Sequence, residues 1–410
     1  MELPRTAIVP TIDVIPRLHL AQCTPFSTQA SYIFQLAWVP SNLYPERSAI
    51  AVPKHLAVSA STHEIKLYDP LTLFPTQMLQ FHTSGIEHIQ AVNADPNSFL
   101  SSSKDGHVVL WDLRTGRPSR TFTSPHHPAT VTEPQERRNP KQKPPLSMMA
   151  ADLSSSGHCL TAGTESTGGE AYMYFWDTRM ADAHTSTGAL VRTFNESFSD
   201  DVTQIKFHPY HDHILLTGSE DCLLCVFDLQ QSDEEDALVA VGNTASTVNR
   251  TGWFGPRAEY LYALSPLESF STWVMSEDGM DLVHRWPDVR QGGGANCHVD
   301  YALDCHYQPE TQRLFLVTGS NNGQIQTFHV GMHDMQLCQV LEGGHKEPIR
   351  AAVWNADQSF MVSGGEDNTL CLWTDGTKSL PEHTLSLPHR SPVSHGGSRQ
   401  GKPRFQPYRQ

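Results

Sequence analysis

Apolar positions in this chain fall in short bursts, not in helical stripes. VVLWDL (108–113), LLCVFDL (223–229), QIQTFHV (324–330) and TLCLW (369–373) are β-branched, aromatic or aliphatic runs of strand length. Each follows a small-residue stretch and a polar turn: SSSKDG (101–106), TGSEDC (217–222), TGSNNG (318–323) and SGGEDN (363–368). The pattern predicts pairs of strands joined by a tight turn. Its recurrence along the chain predicts a repeat architecture of short antiparallel sheets, a β-propeller.

Seven units can be laid out at about 28–78, 81–122, 146–194, 199–240, 244–288, 297–341 and 343–374. Their spacing is near the roughly 40–45 residues of a WD-repeat blade. The expected fold is all-β, a seven-bladed WD-repeat propeller within 14–376. The last unit lacks a fourth strand, because the chain after Trp373 turns into Gly, Ser and Pro. The strand-like segment RLHLAQC (17–23) is expected to fill that place and close the ring, removing two free edges.

Two units carry the fuller pattern. The second has His82, Ser102 or Ser103, Asp105 and Trp111; the seventh has His345, Ser363, Asp367 and Trp373. Such a set can form a chain from indole N–H through hydroxyl and imidazole to a turn carboxylate. A Ser–His–Asp set also resembles hydrolase machinery. Here its spacing belongs to the repeat, so a structural role is expected. The fourth unit keeps Asp221, lacks the histidine, and has Phe227 where the others have tryptophan.

Composition narrows the function. The chain has 410 residues and a net charge of -15. This argues against a mainly nucleic-acid-binding protein, which needs a basic footprint. It favours a partner with a basic segment. The N-terminus lacks a basic start followed by an apolar run, and no stretch approaches membrane-spanning length. A soluble protein of the nucleus, the cytoplasm or both is the expectation, with its eight cysteines reduced. Cys222 and Cys225 have CxxC spacing but no second pair for zinc. In a strand they point to opposite faces, so buried thiols are expected. His208, His211 and His213 read as solvent-facing turn histidines. No metal, cofactor or small-molecule substrate is implied, no carboxylate pair or nucleophile departs from the repeat, and a non-catalytic monomer is expected.

Two segments lie outside the repeats. Residues 123–145 are Pro-rich and locally basic through Arg137, Arg138, Lys141 and Lys143. Residues 377–410 carry a net charge of +5. Both read as flexible, with at most weak affinity for nucleic acid. Gly292–Gly294 reads as a connection between the fifth and sixth units.

Several stretches are more specific than the repeat: AGTE (162–165), FWDTRM (175–180), SDDVTQIKFHP (199–209), EEDALV (234–239), ALDCHYQPET (302–311), GGH (343–345) and SGGEDNTLCLW (363–373). On these the chain resembles the WD repeat-containing protein 89 family. That resemblance implies a non-catalytic seven-bladed propeller and leaves the partner open.

The turns between second and third strands share one face of a propeller. In this chain they supply Lys104, Glu165, Glu220, Glu268, Asn321 and Glu366, with Asp200 entering the same rim. An acidic ring of this kind would attract a Lys/Arg-rich protein segment, and a ribosomal protein is one such client. Asp233, Glu234, Glu235 and Asp236 form a second acidic cluster in the connection leaving the fourth unit. A different reading rests on Trp111–Arg114 and Trp176–Arg179, both of the form WDxR. These resemble the docking motif of substrate receptors in cullin-4-type ubiquitin ligases, with Arg114 and Arg179 the diagnostic residues.

Overall fold

The computed structural model describes residues 15–39, 53–92, 94–123, 146–181, 188–291, 298–355 and 359–376. They form seven four-stranded antiparallel sheets. The innermost strands are Ile33–Val39, Ile86–Ala91, Met148–Leu153, Val202–Phe207, Arg250–Phe254, Tyr301–Gln308 and Ile349–Asn355. Each packs beside the inner strand of the next sheet, and the last packs beside the first, so the blades close into a ring. The segments 124–145, 292–297 and 377–410 lie outside the described residues, as do the sequence expectations placed on them.

The bursts form strands because each supplies one sheet with side chains for both of its neighbours. In blade four, Leu215, Cys225 and Phe227 pack toward Phe175 and Phe194 of blade three. Leu216, Leu224 and Val226 pack the other way, toward Trp253, Leu261 and Trp273 of blade five. Burial on both faces explains why the runs are continuously apolar instead of alternating. Glycine is required where blades approach closest. A Cβ on Gly163 would stand 2.5 Å from a methyl of Val202.

Blade seven takes its fourth strand from the N-terminus. His19–Pro25 pairs antiparallel with Thr369–Thr374, placing Leu20 opposite Trp373 and Cys23 opposite Cys371. The chain before that strand is tied down too: Leu18 N donates to Gln339 Oε1 at 3.0 Å, and Ile15 and Leu18 join the core between blades six and seven. On the far side, Phe26 N donates to the Asn368 carbonyl at 2.8 Å, and the Lys66 ammonium sits 4.1 Å from the Phe26 ring centre. The N-terminal strand thus closes the ring, as the missing fourth strand implied.

Candidate functional site: the upper face and the channel

The upper face, as named here, carries the turns between second and third strands and the links from one blade to the next. Antiparallel connectivity puts both at the same end of each sheet. Two side-chain chains support it. In blade two, Trp111 Nε1 donates to Ser101 Oγ at 2.9 Å, His82 Nε2 lies 2.8 Å from that oxygen, and His82 Nδ1 lies 3.1 Å from Asp105 Oδ2. Blade seven repeats it through Trp373, Ser363, His345 and Asp367 at 2.8, 2.8 and 3.1 Å. A hydroxyl that accepts from an indole keeps its own proton for the imidazole, which leaves Nδ1–H for the carboxylate. The serine in blade two is Ser101, not Ser102 or Ser103. Ser101 stands opposite Val109, while Ser103 instead donates to the Gly85 carbonyl at 2.8 Å.

Both carboxylates also cap backbone amides. Asp105 accepts from Thr83 N and His107 N; Asp367 accepts from Lys346 N and Thr369 N. Burial pushes both carboxyls up, but the bonds from their histidines and these amides outweigh it, so both end below the ordinary carboxylate range. These groups are fully engaged in holding turns, which is a structural task.

The acidic positions do not form an even ring. Glu366 is held by Arg350, whose Nε donates to Oε1 at 2.6 Å. Glu268 is half-buried, takes a left-handed backbone at φ 64°, and accepts from Ala302 N of blade six. Lys104 faces Glu87 at 3.3 Å. Around blades three and four, by contrast, carboxylates gather. Asp200 Oδ1 accepts from Ser166 Oγ at 3.0 Å, Asp201 Oδ1 accepts from Ser166 N at 2.7 Å, and Glu220 N donates to the Asp201 carbonyl at 2.9 Å. Glu165 begins the same long turn, and Glu170 near its end accepts from Tyr172 OH at 2.8 Å. Desolvation, then the charges of Asp201 and Asp200, raise the Glu220 carboxyl above its ordinary value. Among the described residues no lysine or arginine forms an ion pair with Glu165, Asp200, Asp201 or Glu220.

Asp233–Asp236 lie within blade four, between its third and fourth strands, instead of in a connection leaving it. Glu234 there is an anchor: its carboxylate accepts from the backbone amides of Asn195, Glu196 and Ser197 at 2.8–3.0 Å. Asp233, Glu235 and Asp236 are exposed.

Arg114 lies between the third and fourth strands of blade two, and Arg179 lies near the end of the long third strand of blade three, Met173–Ala181. Arg114 Nε and Nη2 both donate to Asp112 at 3.0 Å; Arg179 does the same to Asp177 at 3.0 and 2.7 Å. Their side chains are 71% and 64% exposed. Arg290 forms the same fork on Asp288 outside any WDxR segment. The fork is therefore a local Asp-x-Arg geometry.

The inner strands enclose a channel cavity of about 320 Å³. Its wall includes a polar network in which Asp152 is buried and Gln90 and Lys206 are half-buried. Lys206 Nζ donates to Gln90 Oε1 at 2.5 Å, and Gln90 Nε2 donates to Asp152 Oδ1 at 2.5 Å. Asp152 also accepts from Phe207 N and Leu153 N at 2.7 and 2.8 Å. Burial raises the Asp152 carboxyl to about 6, with Lys206 and the amides opposing. Sequence reading missed this network, because its members lie in three separate blades.

His208 is buried and does not face solvent; its Nδ1 accepts from Tyr210 N and His211 N at 3.2 Å, and its ring lies 4.8 Å from Trp253. Burial lowers its pKa to about 4. Cys225 is buried, whereas Cys222 is half-buried on the turn at φ 72°. Among the described residues no group of three or more His, Cys, Asp or Glu is placed to hold a metal, and no helix is long and apolar enough to cross a membrane.

These features define a class: a seven-bladed WD-repeat β-propeller, a fold of non-catalytic protein-interaction scaffolds. The model for the WD domain, G-beta repeat, matches residues 74–112, 188–228 and 335–374. Each match begins at or near the outer strand of one blade and runs through the third strand of the next. The sequence repeat is thus offset from the blade by one strand, which is why the ring closes with a strand from the other terminus.

Among known proteins, the chain is similar to the WD repeat-containing protein 89 homolog of Dictyostelium discoideum. They are 28% identical over 79% of this chain and 80% of that one. It is 26% identical to the WD repeat-containing protein GTS1 of Arabidopsis thaliana, over 78% and 77% of the two chains. A WD repeat-containing protein of Saccharomyces cerevisiae is 28% identical over 85% and 84%.

Proposed function

We propose that this protein is a scaffold or escort that holds a basic segment of a partner protein against the upper face of blades three and four. The observation that carries the reading is the gathering of Glu165, Asp200, Asp201 and Glu220 with no basic side chain among them in the described residues. Like charges forced together at a half-open rim are relieved by a cation from outside. Each exposed pair contributes only about 0–1 kcal/mol, so several must act together. The similarity to the Dictyostelium protein over most of both chains supports a place in the WD repeat-containing protein 89 family. A nuclear or cytoplasmic setting, and a ribosomal or pre-ribosomal protein as the basic client, belong to the same proposal.

The test is fluorescence anisotropy with a labelled Lys/Arg-rich peptide at moderate salt. Glu220→Lys is expected to weaken binding tenfold or more, equivalent to about 1.4 kcal/mol. Glu366→Gln is expected to change it little, since Arg350 already neutralises that carboxylate. Equal binding by wild type and Glu220→Lys overturns the proposal.

A second reading rests on two neighbouring blades presenting the same pre-oriented guanidinium. Arg114 and Arg179 would dock the adaptor of a cullin-4-type ubiquitin ligase. Adaptor capture that survives Arg114→Ala with Arg179→Ala overturns it.

A further inference from the structure

The seam that closes the ring carries two thiols face to face. Cys23 of the N-terminal strand stands directly opposite Cys371 of the third strand of blade seven, and their sulfurs are 3.0 Å apart. Cys371 is in turn opposite Ser363, so one row across the sheet runs Cys23, Cys371, Ser363. Gly344 leaves room beside the pair; a Cβ there would lie 3.1 Å from the Cys371 sulfur. Cys23 is exposed and Cys371 is buried. Opposed cross-strand cysteines whose sulfurs already converge need a shift of only about 1 Å to reach disulfide bonding distance.

We propose that Cys23 and Cys371 form a disulfide that staples the N-terminal strand into the propeller, with a small-molecule disulfide such as glutathione disulfide as the oxidant. The exposed Cys23 thiolate attacks one sulfur of glutathione disulfide, giving a mixed disulfide and releasing one glutathione. Cys371 then loses its proton and attacks the Cys23 sulfur, expelling the second glutathione. Two protein thiols are oxidised and one glutathione disulfide becomes two glutathiones. The order follows from access. Burial, and then the neighbouring Cys23 sulfur, push the Cys371 thiol upward, which leaves the exposed Cys23 as the first to react. The staple joins residues from opposite ends of the chain. It therefore acts on the strand pairing that supplies blade seven with its fourth strand, and it does so next to the Ser363–His345–Asp367 chain that fixes the blade-seven turn.

The test uses the full-length protein incubated with glutathione disulfide, digested without reduction and examined by mass spectrometry. The expected product is a Cys23 peptide joined to a Cys371 peptide, lighter by two hydrogens than the reduced pair. Oxidation should raise the melting midpoint by several degrees in wild type and not in Cys23→Ser, an exposed substitution that leaves the fold intact. Three results overturn the proposal: Cys23 remaining a free thiol, Cys23 stopping at the glutathione adduct, or an equal rise in Cys23→Ser. Cys371→Ser provides a second check. There Cys23 should accumulate only as the glutathione adduct, and any protein disulfide through Cys23 would place its partner elsewhere.

Discussion

Phe198 lies 5.9 Å from Phe227 in blade four, ring centre to ring centre, in the places that His82 and Trp111 hold in blade two. The backbone bond beside it is kept: Ser199 N donates to Asp221 Oδ2, as Thr83 N donates to Asp105 Oδ2. Thr217 replaces the serine and turns its hydroxyl to the Cys225 carbonyl at 3.3 Å. Blade four thus holds the same turn with an apolar pair in place of the polar chain. Both partners change together because an imidazole beside a phenyl ring would be left without its indole-fed hydroxyl.

Phe198→His is therefore expected to destabilise the protein by about 1–3 kcal/mol, the cost of a buried polar group left short of partners. Adding Phe227→Trp should recover part of that loss. Urea unfolding of the two single variants and the double variant gives the coupling energy. Strict additivity would show that the two positions do not form one unit.

How much of this was legible beforehand depends on how far each contact reaches. The blades were readable because strand, turn and small residue lie within one short phrase. The Trp373–Ser363–His345–Asp367 chain was readable because a second copy fixed its spacing. Three consecutive serines hid which one bonds in blade two; only the register against Val109 selects Ser101. The Arg350 partner of Glu366, the Ala302 amide on Glu268 and the Trp253 ring over His208 come from neighbouring strands or blades. No local pattern announces them. The acidic turns could be counted in the sequence, but which of them stay unpaired could not.

Acid should loosen blades two and seven together. Asp105 and Asp367 have folded pKa values below the unfolded value of about 3.9. Their contribution is fully present above that value and is lost as pH falls through the folded pKa. Asp367→Asn should lower the melting midpoint near neutral pH and flatten the decline on the acid side. A midpoint that falls in acid as steeply for Asp367→Asn as for wild type would remove Asp367 from this role.

Asp152 runs the other way. Its folded pKa, about 6, stands above the unfolded value of about 3.9. Its contribution is fully present below about 3.9 and is lost as pH rises through about 6. Asp152→Asn removes the titration, but its amide cannot accept on both sides. Either Phe207 N or the Leu153 N and Gln90 side would meet a donor, at a cost of about 1–3 kcal/mol. The variant should be less stable at neutral pH, with a flatter stability profile between about 4 and 6. An unchanged profile in thermal melts across that range would show that Asp152 does not titrate there.

Removing residues 1–25 tests the closure itself. The strand His19–Pro25 covers Thr369–Thr374, so its loss exposes a row of unpaired backbone groups on blade seven. It also removes Ile15 and Leu18 from the core shared by blades six and seven, where each is less than a tenth exposed. Burying a side chain of that size contributes about 1.5–3 kcal/mol, so the two together rival the margin of a typical domain. Phe26 remains in the shortened chain, but its anchor at Asn368 then belongs to a free end. The truncated protein should melt at least several degrees lower and associate through the bare edge as its concentration rises. Adding the peptide 15–25 in trans should reverse both effects, because it restores the same strand and the same two core residues. Melting curves and light scattering with and without the peptide decide the matter. Equal midpoints for full and truncated chains would show that the ring is held without its N-terminal strand.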